Sequence, residues 1–204
     1  AIATSPDWRV EWTMEHRLYL VLPEPMKPGK RYSVSAGGLL SGPSATSFVY
    51  DPASTPSDSV RVNQVGYSPA APGRYAYVSA WLGDLGGLPL GNRLKGGRFR
   101  ILDRATARTV FEGTPALRRS PSDGPEGGQP GEGSHWRAEV WECDFSGFTA
   151  PGEYVLSVDR VGRSHPFRID PDAYRPAFRG AMRGLYHQRC GAARAGAHTD
   201  CARG

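Results

Sequence analysis

Cysteine is scarce in this chain. Cys143, Cys190 and Cys201 are an odd number and too few for a disulfide framework. No stretch of about 18 apolar residues occurs, so no segment reads as a membrane span. The opening "AIATSPDWRV" lacks a basic stretch followed by an apolar one, so no signal peptide is read there. Lys/Arg runs interleaved with aromatics are also missing, as is any zinc-finger, helix-turn-helix or RNA-recognition pattern. The formal charge of +5 nevertheless raises the question of nucleic acid, and its location answers it. Residues 171–204 hold six arginines against Asp172 and Asp200, a balance of +4, which leaves +1 for residues 1–170. Neither nucleic acid nor a membrane is expected as a partner.

What the chain has in quantity is turn chemistry, with 26 Gly and 18 Pro beside 39% apolar residues. That balance favours many short strands over long helices. In "RLYLVLPEPMKPGKRYSVSA", Leu18, Leu20 and Leu22 alternate with Tyr19 and Val21 in an extended run stopped by Pro23 and Pro25. A turn then leads to a second strand with Tyr32 and Val34 on one face, and "SFVYD" supplies another. Residues 1–52 thus read as a partial β segment, and the Pro/Ser-rich stretch that follows supplies a linker over 53–59.

From Val60 strands recur between turn residues: "VRVNQVGY", "RYAYVSAWL", "GRFRILDR", "RTVFEG", "HWRAEVWECDFS", "GEYVLSVDR" and "SHPFRID". Trp141, Cys143 and Phe145 share one face; Val140, Glu142 and Asp144 share the other. Seven short strands at this spacing predict an immunoglobulin-like sandwich over 60–170. "GDLGGLPLG" (83–91) reads as a hairpin connection, and the polar, glycine-rich 118–134 as a long loop.

At Asp170-Pro171-Asp172 the period changes. Asp170 is a suitable N-cap, Pro171 suits the first helical position, and Asp172 complements the helix dipole. Tyr174, Phe178, Met182 and Leu185 then form one apolar stripe. Gly180 and Gly184 each cost the helix about 1 kcal/mol relative to Ala, which suits close approach by another backbone.

Candidate chemistry is sparse. Glu142 and Asp144 are paired carboxylates on a strand, where a solvated face accounts for them; Asp170 and Asp172 are accounted for by capping. No nucleophile elbow, HExxH or phosphate-binding glycine loop is present. Cys190, His198 and Cys201, with His187 nearby, are groups that zinc takes, but zinc needs four ligands and the Cys-x10-Cys spacing fits no compact finger. Free thiols near a frayed terminus are the plainer reading. Among Trp8, Trp12, Trp81, Trp136 and Trp141, a sugar-stacking platform is one use; alternation puts Trp141 in the core, and Trp81 reads as packing a strand end.

Four segments, "VRVNQVGYSPAAPGRYAYVSAWLG", "FRILDRATARTVFEG", "ECDFSGFTAPGEYVLSVDRVGRSHPFRI" and "YRPAFRGAMRGLYHQRCG", occur in this order. Together they resemble the N-terminal immunoglobulin-like module of glycoside hydrolase family 9, the cellulase (endoglucanase) family. The motifs are Asn63-Gln64-Val65-Gly66-Tyr67, Asp144-Phe145-Ser146, Pro151-Gly152-Glu153-Tyr154 and Gln188-Arg189-Cys190-Gly191, covering about residues 58–192. Residues 1–52 more loosely resemble the end of another Ig-like or carbohydrate-associated domain.

The resemblance implies a mainly β chain: an Ig-like β-sandwich over 60–170, preceded by the partial β segment. Residues 171–204 would then be the first helix and start of a truncated (α/α)6 catalytic barrel. The family is implied to hydrolyse β-1,4-glucans with inversion, one carboxylate activating water and a distant one protonating the leaving oxygen. Both lie in the barrel beyond the QRCG motif, so no catalytic residue is assigned here and the substrate-binding residues stay unassigned. No cofactor is required. Some members hold a structural zinc through the QRCG cysteine and a later Cys-His pair; only Cys190 carries over, since Cys201 is followed by Ala202 rather than His.

These expectations make the chain a non-catalytic accessory module whose partner is the barrel of a larger hydrolase, with β-glucan as a further partner. The implied setting is extracellular or the cell envelope. A stand-alone glycan-binding module and a fragment of a full endoglucanase are the alternatives. The 204-residue chain itself is expected to release no reducing sugar from carboxymethylcellulose above a heat-killed control. Release above that control would refute the assignment.

Overall fold

The computed structural model describes residues 2–4, 11–13, 18–35, 37, 45–51, 54–124 and 137–188. Near the N-terminus, β1 (Ile2–Thr4) pairs antiparallel with β2 (Glu11–Thr13), and β3 (Arg31–Ser35) pairs with β4 (Ala45–Val49). Tyr32 sits opposite Phe48, with ring centroids 6.1 Å apart. The run Leu18–Leu22, expected as a strand, joins no ladder among the described residues and is exposed throughout. Alternation alone does not make a strand where no neighbour supplies hydrogen bonds.

Two sheets then pack face to face. One has the order β5 (Val60–Arg61), β6 (Tyr75–Val78), β10 (Val140–Asp144), β9 (Ala116–Arg119). The other has the order β12 (Gly162–Arg163), β11 (Gly152–Val158), β7 (Phe99–Asp103), β8 (Thr109–Gly113). There β13 (Phe167–Ile169) also pairs with β11. The resulting fold is mainly β, an immunoglobulin-like sandwich followed by one long helix, α2 (Arg175–His187).

The core lies between the sheets. Trp141, Cys143 and Phe145 point inward as the alternation predicts, meeting Phe99, Ile101, Leu156 and Phe167. A short helix, α1 (Gly91–Leu94), closes the core with fully buried Leu90 and Leu94. The hairpin expected over 83–91 is therefore only its first part: Leu82 N–H donates to Gly86 O at 2.8 Å, and α1 follows. Glu139 Oε2 accepts from Leu90 N–H at 2.9 Å and from Trp141 Nε1 at 2.8 Å, satisfying the start of α1 from the residue before β10.

Two further differences from the sequence reading have local causes. Arg118 and Arg119, expected in a loop, lie in β9; Glu142 on β10 takes Arg118 in a 2.7 Å ion pair. Residues 120–124 form a turn, Ser120 N–H donating to Asp123 Oδ2 at 2.8 Å, and 125–134 lie outside the described residues. The Pro/Ser stretch read as a linker is laid along β12, with Ser57 N–H donating to Arg163 O and Arg163 N–H to Thr55 O. Its neighbour Gly162, at φ +123°, admits this approach because a Cβ there would stand 2.9 Å from Thr55 O.

Two side chains brace the turns. The Tyr154 hydroxyl reaches back to the Ala150 carbonyl at 3.1 Å, the tyrosine-corner arrangement of Ig-like sandwiches. Arg74, only 2% exposed, donates to the carbonyls of Ser68, Pro69, Ala71, Ser146 and Phe148. All five acceptors are main chain.

Leu94→Ala is expected to cost about 2–5 kcal/mol, because the cavity opens under a closed end of the core; equilibrium denaturation measures it. A second expectation concerns pH. Burial, with a smaller push from Glu142, raises the Cys143 thiol from 9.0 to about 12, and burial raises Tyr67 from 10.0 to about 12. Both groups stay protonated in the folded chain while the unfolded chain ionises. Stability is therefore fully present below pH 9 and falls as pH rises through 9–12. Cys143→Ala should remove the part of that slope that begins near pH 9, measured by denaturation at stepped pH. An unchanged slope would contradict the burial of the thiol.

Candidate functional site

The segment Asn63–Tyr67 forms a tight turn. Asn63 Oδ1 accepts from Val65 N–H at 3.0 Å and Asn63 O from Gly66 N–H at 3.1 Å. Gly66 has φ +112°, and a Cβ there would meet Arg168 Cγ at 2.8 Å, Arg168 O at 2.9 Å and the Ala173 Cβ at 3.3 Å. Glycine is what lets this turn lie directly on β13. Tyr67 then brackets the end of β13, its N–H donating to Arg168 O and its O accepting from Asp170 N–H, each at 2.9 Å.

The Tyr67 ring enters the core edge-on to Phe145 and Phe167, with centroids 5.1 and 5.5 Å away. Its hydroxyl donates to Tyr75 O at 2.7 Å and accepts from Asn63 N–H at 2.9 Å. Burial, partly offset by the Asn63 bond, pushes its pKa up to about 12, so it remains a neutral donor at ordinary pH.

Arg168 ties this turn to the departing chain: Nε donates to Val65 O at 3.2 Å and Nη2 to Ala173 O at 3.0 Å. Ala173 is fully buried against the junction. Asp170 Oδ1 accepts from Asp172 N–H at 2.7 Å, and Ala173 N–H donates to Asp170 O at 3.0 Å. These bonds hold 170–173 as a turn, so the expectation of Asp170 as N-cap and Pro171 as first helical residue is not met. The helix instead starts at Arg175, with Pro176 in its first turn. Asn63 Nδ2 reaches the Tyr174 hydroxyl at 3.5 Å, and Asp172 pairs with Arg175 at 3.3 Å.

Beyond this anchor, α2 has no buried residue. Tyr174, Phe178, Met182, Leu185 and Tyr186 are all exposed, Phe178 by 64%. Gly180 and Gly184 face open space, and no other backbone approaches them among the described residues. The junction thus sets where α2 leaves the sandwich, and the apolar stripe of the helix is exposed.

The other sequence candidates do not converge here. Glu142 pairs with Arg118, and Asp144 Oδ1 accepts from Ser146 N–H at 2.8 Å, so each carboxylate has a structural role. Cys143 is a buried free thiol. Cys190, the one residue assigned as a metal ligand, lies outside the described residues with His198 and Cys201. Among the described residues no group of three His, Cys, Asp or Glu side chains could hold a metal ion, and no helix is long and apolar enough to cross a membrane. Trp141 is 4% exposed and Trp81 46%; Trp8 and Trp136 lie outside the described residues. Sequence reasoning missed Arg168 and Ala173, since an arginine between Phe167 and Ile169 reads only as an outward strand position.

Residues 55–163, more than half of the chain, match the family described as "Cellulase N-terminal ig-like domain". A stretch of 52 residues is 44% identical to Endoglucanase D of Acetivibrio thermocellus, covering 26% of this chain and 8% of that protein. A metagenome-derived glycoside hydrolase family 9 endoglucanase of solved structure is 32% identical, covering 66% of this chain and 22% of its own, with a TM-score of 0.46. A Bacteroides ovatus GH9 structure is 25% identical, covering 66% of this chain and 19% of its own, with a TM-score of 0.44. The matched stretches thus span less than a quarter of each of these proteins. The chain belongs to the cellulase N-terminal Ig-like domain family.

Proposed function

We propose that the chain is a non-catalytic accessory module of a family 9 glycoside hydrolase that degrades β-1,4-glucans, and that it braces the catalytic barrel through α2. The observation that carries this reading is the uncovered stripe Tyr174, Phe178, Met182 and Leu185, held in a fixed direction by the Gly66–Arg168 junction. A stripe free to swing would pay ordering entropy on docking; a mounted one has met most of that cost already. Covering it would be worth about 1.5–3 kcal/mol for each side chain fully buried. The chemistry itself belongs to the barrel, where two carboxylates divide the work of an inverting hydrolase. A polymer of this kind does not enter cells, so the module works outside the cell or at its envelope.

The test uses the longest reading frame that contains the chain. A family 9 barrel is expected downstream of Gly204, and Phe178→Asp in that full protein is expected to lower its melting temperature and shorten its activity half-life on heating. Gly66→Ala should act in the same direction by disturbing the mount. The reading fails if no such barrel is encoded, or if Phe178→Asp combined with Leu185→Asp leaves the full protein's melting temperature unchanged.

A further inference from the structure

Away from α2, the sandwich carries an aromatic cleft of about 440 Å³ around Trp81. Trp81 pairs with Gly87 across a tight hairpin, and Leu88 N–H donates to Ala80 O at 3.0 Å. The hairpin is pressed on the following loop, for a Cβ on Gly87 would stand 2.7 Å from Ala138 and from Arg137 O. The backbone carrying Trp81 is therefore braced, and the residue is 46% exposed, whereas Trp141 is sealed in the core. An open aromatic side chain on a braced backbone offers a face on which a flat apolar ligand surface can stack.

The surroundings specify the ligand's chemistry. Tyr19 enters the cleft beside the hairpin turn, its ring 3.9 Å from where a Gly83 Cβ would stand. Ser59 and Ser79 offer hydroxyls, while Asp58 and Arg61 offer one carboxylate and one guanidinium. The formal charges cancel, so neither a polyanion nor a polycation is favoured. Aromatic faces with a mixed donor and acceptor rim suit a neutral polyhydroxylated ring. A β-glucosyl unit carries its hydroxyls equatorially, leaving flat C–H faces for the indole while the hydroxyls reach the rim. An α-linked glucan curls and cannot present such faces in a straight row.

We propose that the Trp81 cleft binds a β-1,4-glucan chain, with Trp81 as the stacking platform and Asp58, Arg61 and the two serines as hydroxyl partners. The choice of polymer rests on the family 9 reading; the site itself rests on the cleft. It would hold the module on a substrate strand at a place separate from α2.

The full chain is titrated with cellohexaose by calorimetry, and with maltohexaose as the α-linked comparison. Binding of cellohexaose is expected, with maltohexaose at least about tenfold weaker. Trp81→Ala should weaken cellohexaose about tenfold, and Trp81→Phe, which keeps a ring, should weaken it less. Arg61→Ala, at an exposed position, is the second variant, so that a Trp81 variant that melts early still leaves a reading; it too should weaken binding. The proposal is overturned by the absence of heat at up to about 1 mM cellohexaose, by equal affinity for both sugars, or by folded Trp81→Ala and Arg61→Ala variants that bind as the parent does. Its failure leaves the barrel-bracing role untouched, and a missing barrel gene leaves this binding untouched.

Discussion

The contact of the Gly66 backbone with Arg168 and Ala173 is the constraint on which the useful geometry depends. Any side chain at residue 66 would push the Asn63–Tyr67 turn away from β13. Tyr67 would then lose its two main-chain bonds to Arg168 and Asp170, and its ring would shift against Phe145 and Phe167. The same residues that complete the core therefore set the direction in which α2 leaves. Core packing and helix orientation form one cooperative unit, so a change felt in the aromatic cluster is felt at the helix.

Arg74 shows a second solution to a buried group. A guanidinium taken out of water normally requires a carboxylate partner, at considerable desolvation cost. Here five main-chain carbonyls from two separate turns surround it, and their dipoles stabilise the charge. The turns around 68–71 and 146–148 are held together by one side chain, which ties the loop before β6 to the loop after β10. A lysine would retain the charge but not the planar fork that reaches five acceptors.

The parts legible in the sequence were those governed by local period. Trp141, Cys143 and Phe145 could be placed inward because alternation alone decides the face of a strand. What was not legible depended on distant partners. α1 is satisfied at its start by Glu139, which lies 49 residues from Leu90. β9 exists because β10 lies beside it, and "ALRR" carries little strand signal of its own. The start of α2 moved because the Asp170 bonds to Asp172 and Ala173, with Arg168 on the Ala173 carbonyl, hold 170–173 in a turn. Of the site, the apolar stripe was readable from its spacing, but its mount was not, since Gly66 and Arg168 are 102 residues apart and neither carries a local signal of their contact.

The lacing of residues 55–57 to β12 has a mechanical side. Both the incoming chain and Tyr67 bridge in parallel to the edge segments of one sheet, at Arg163 and Ile169. A pull applied between the N-terminal segment and α2 is met first by the Ser57, Arg163, Tyr67 and Asp170 main-chain bonds. The aromatic core lies behind them. Tension applied this way would be borne at the rim of the sandwich, leaving the packing that aims the helix undisturbed.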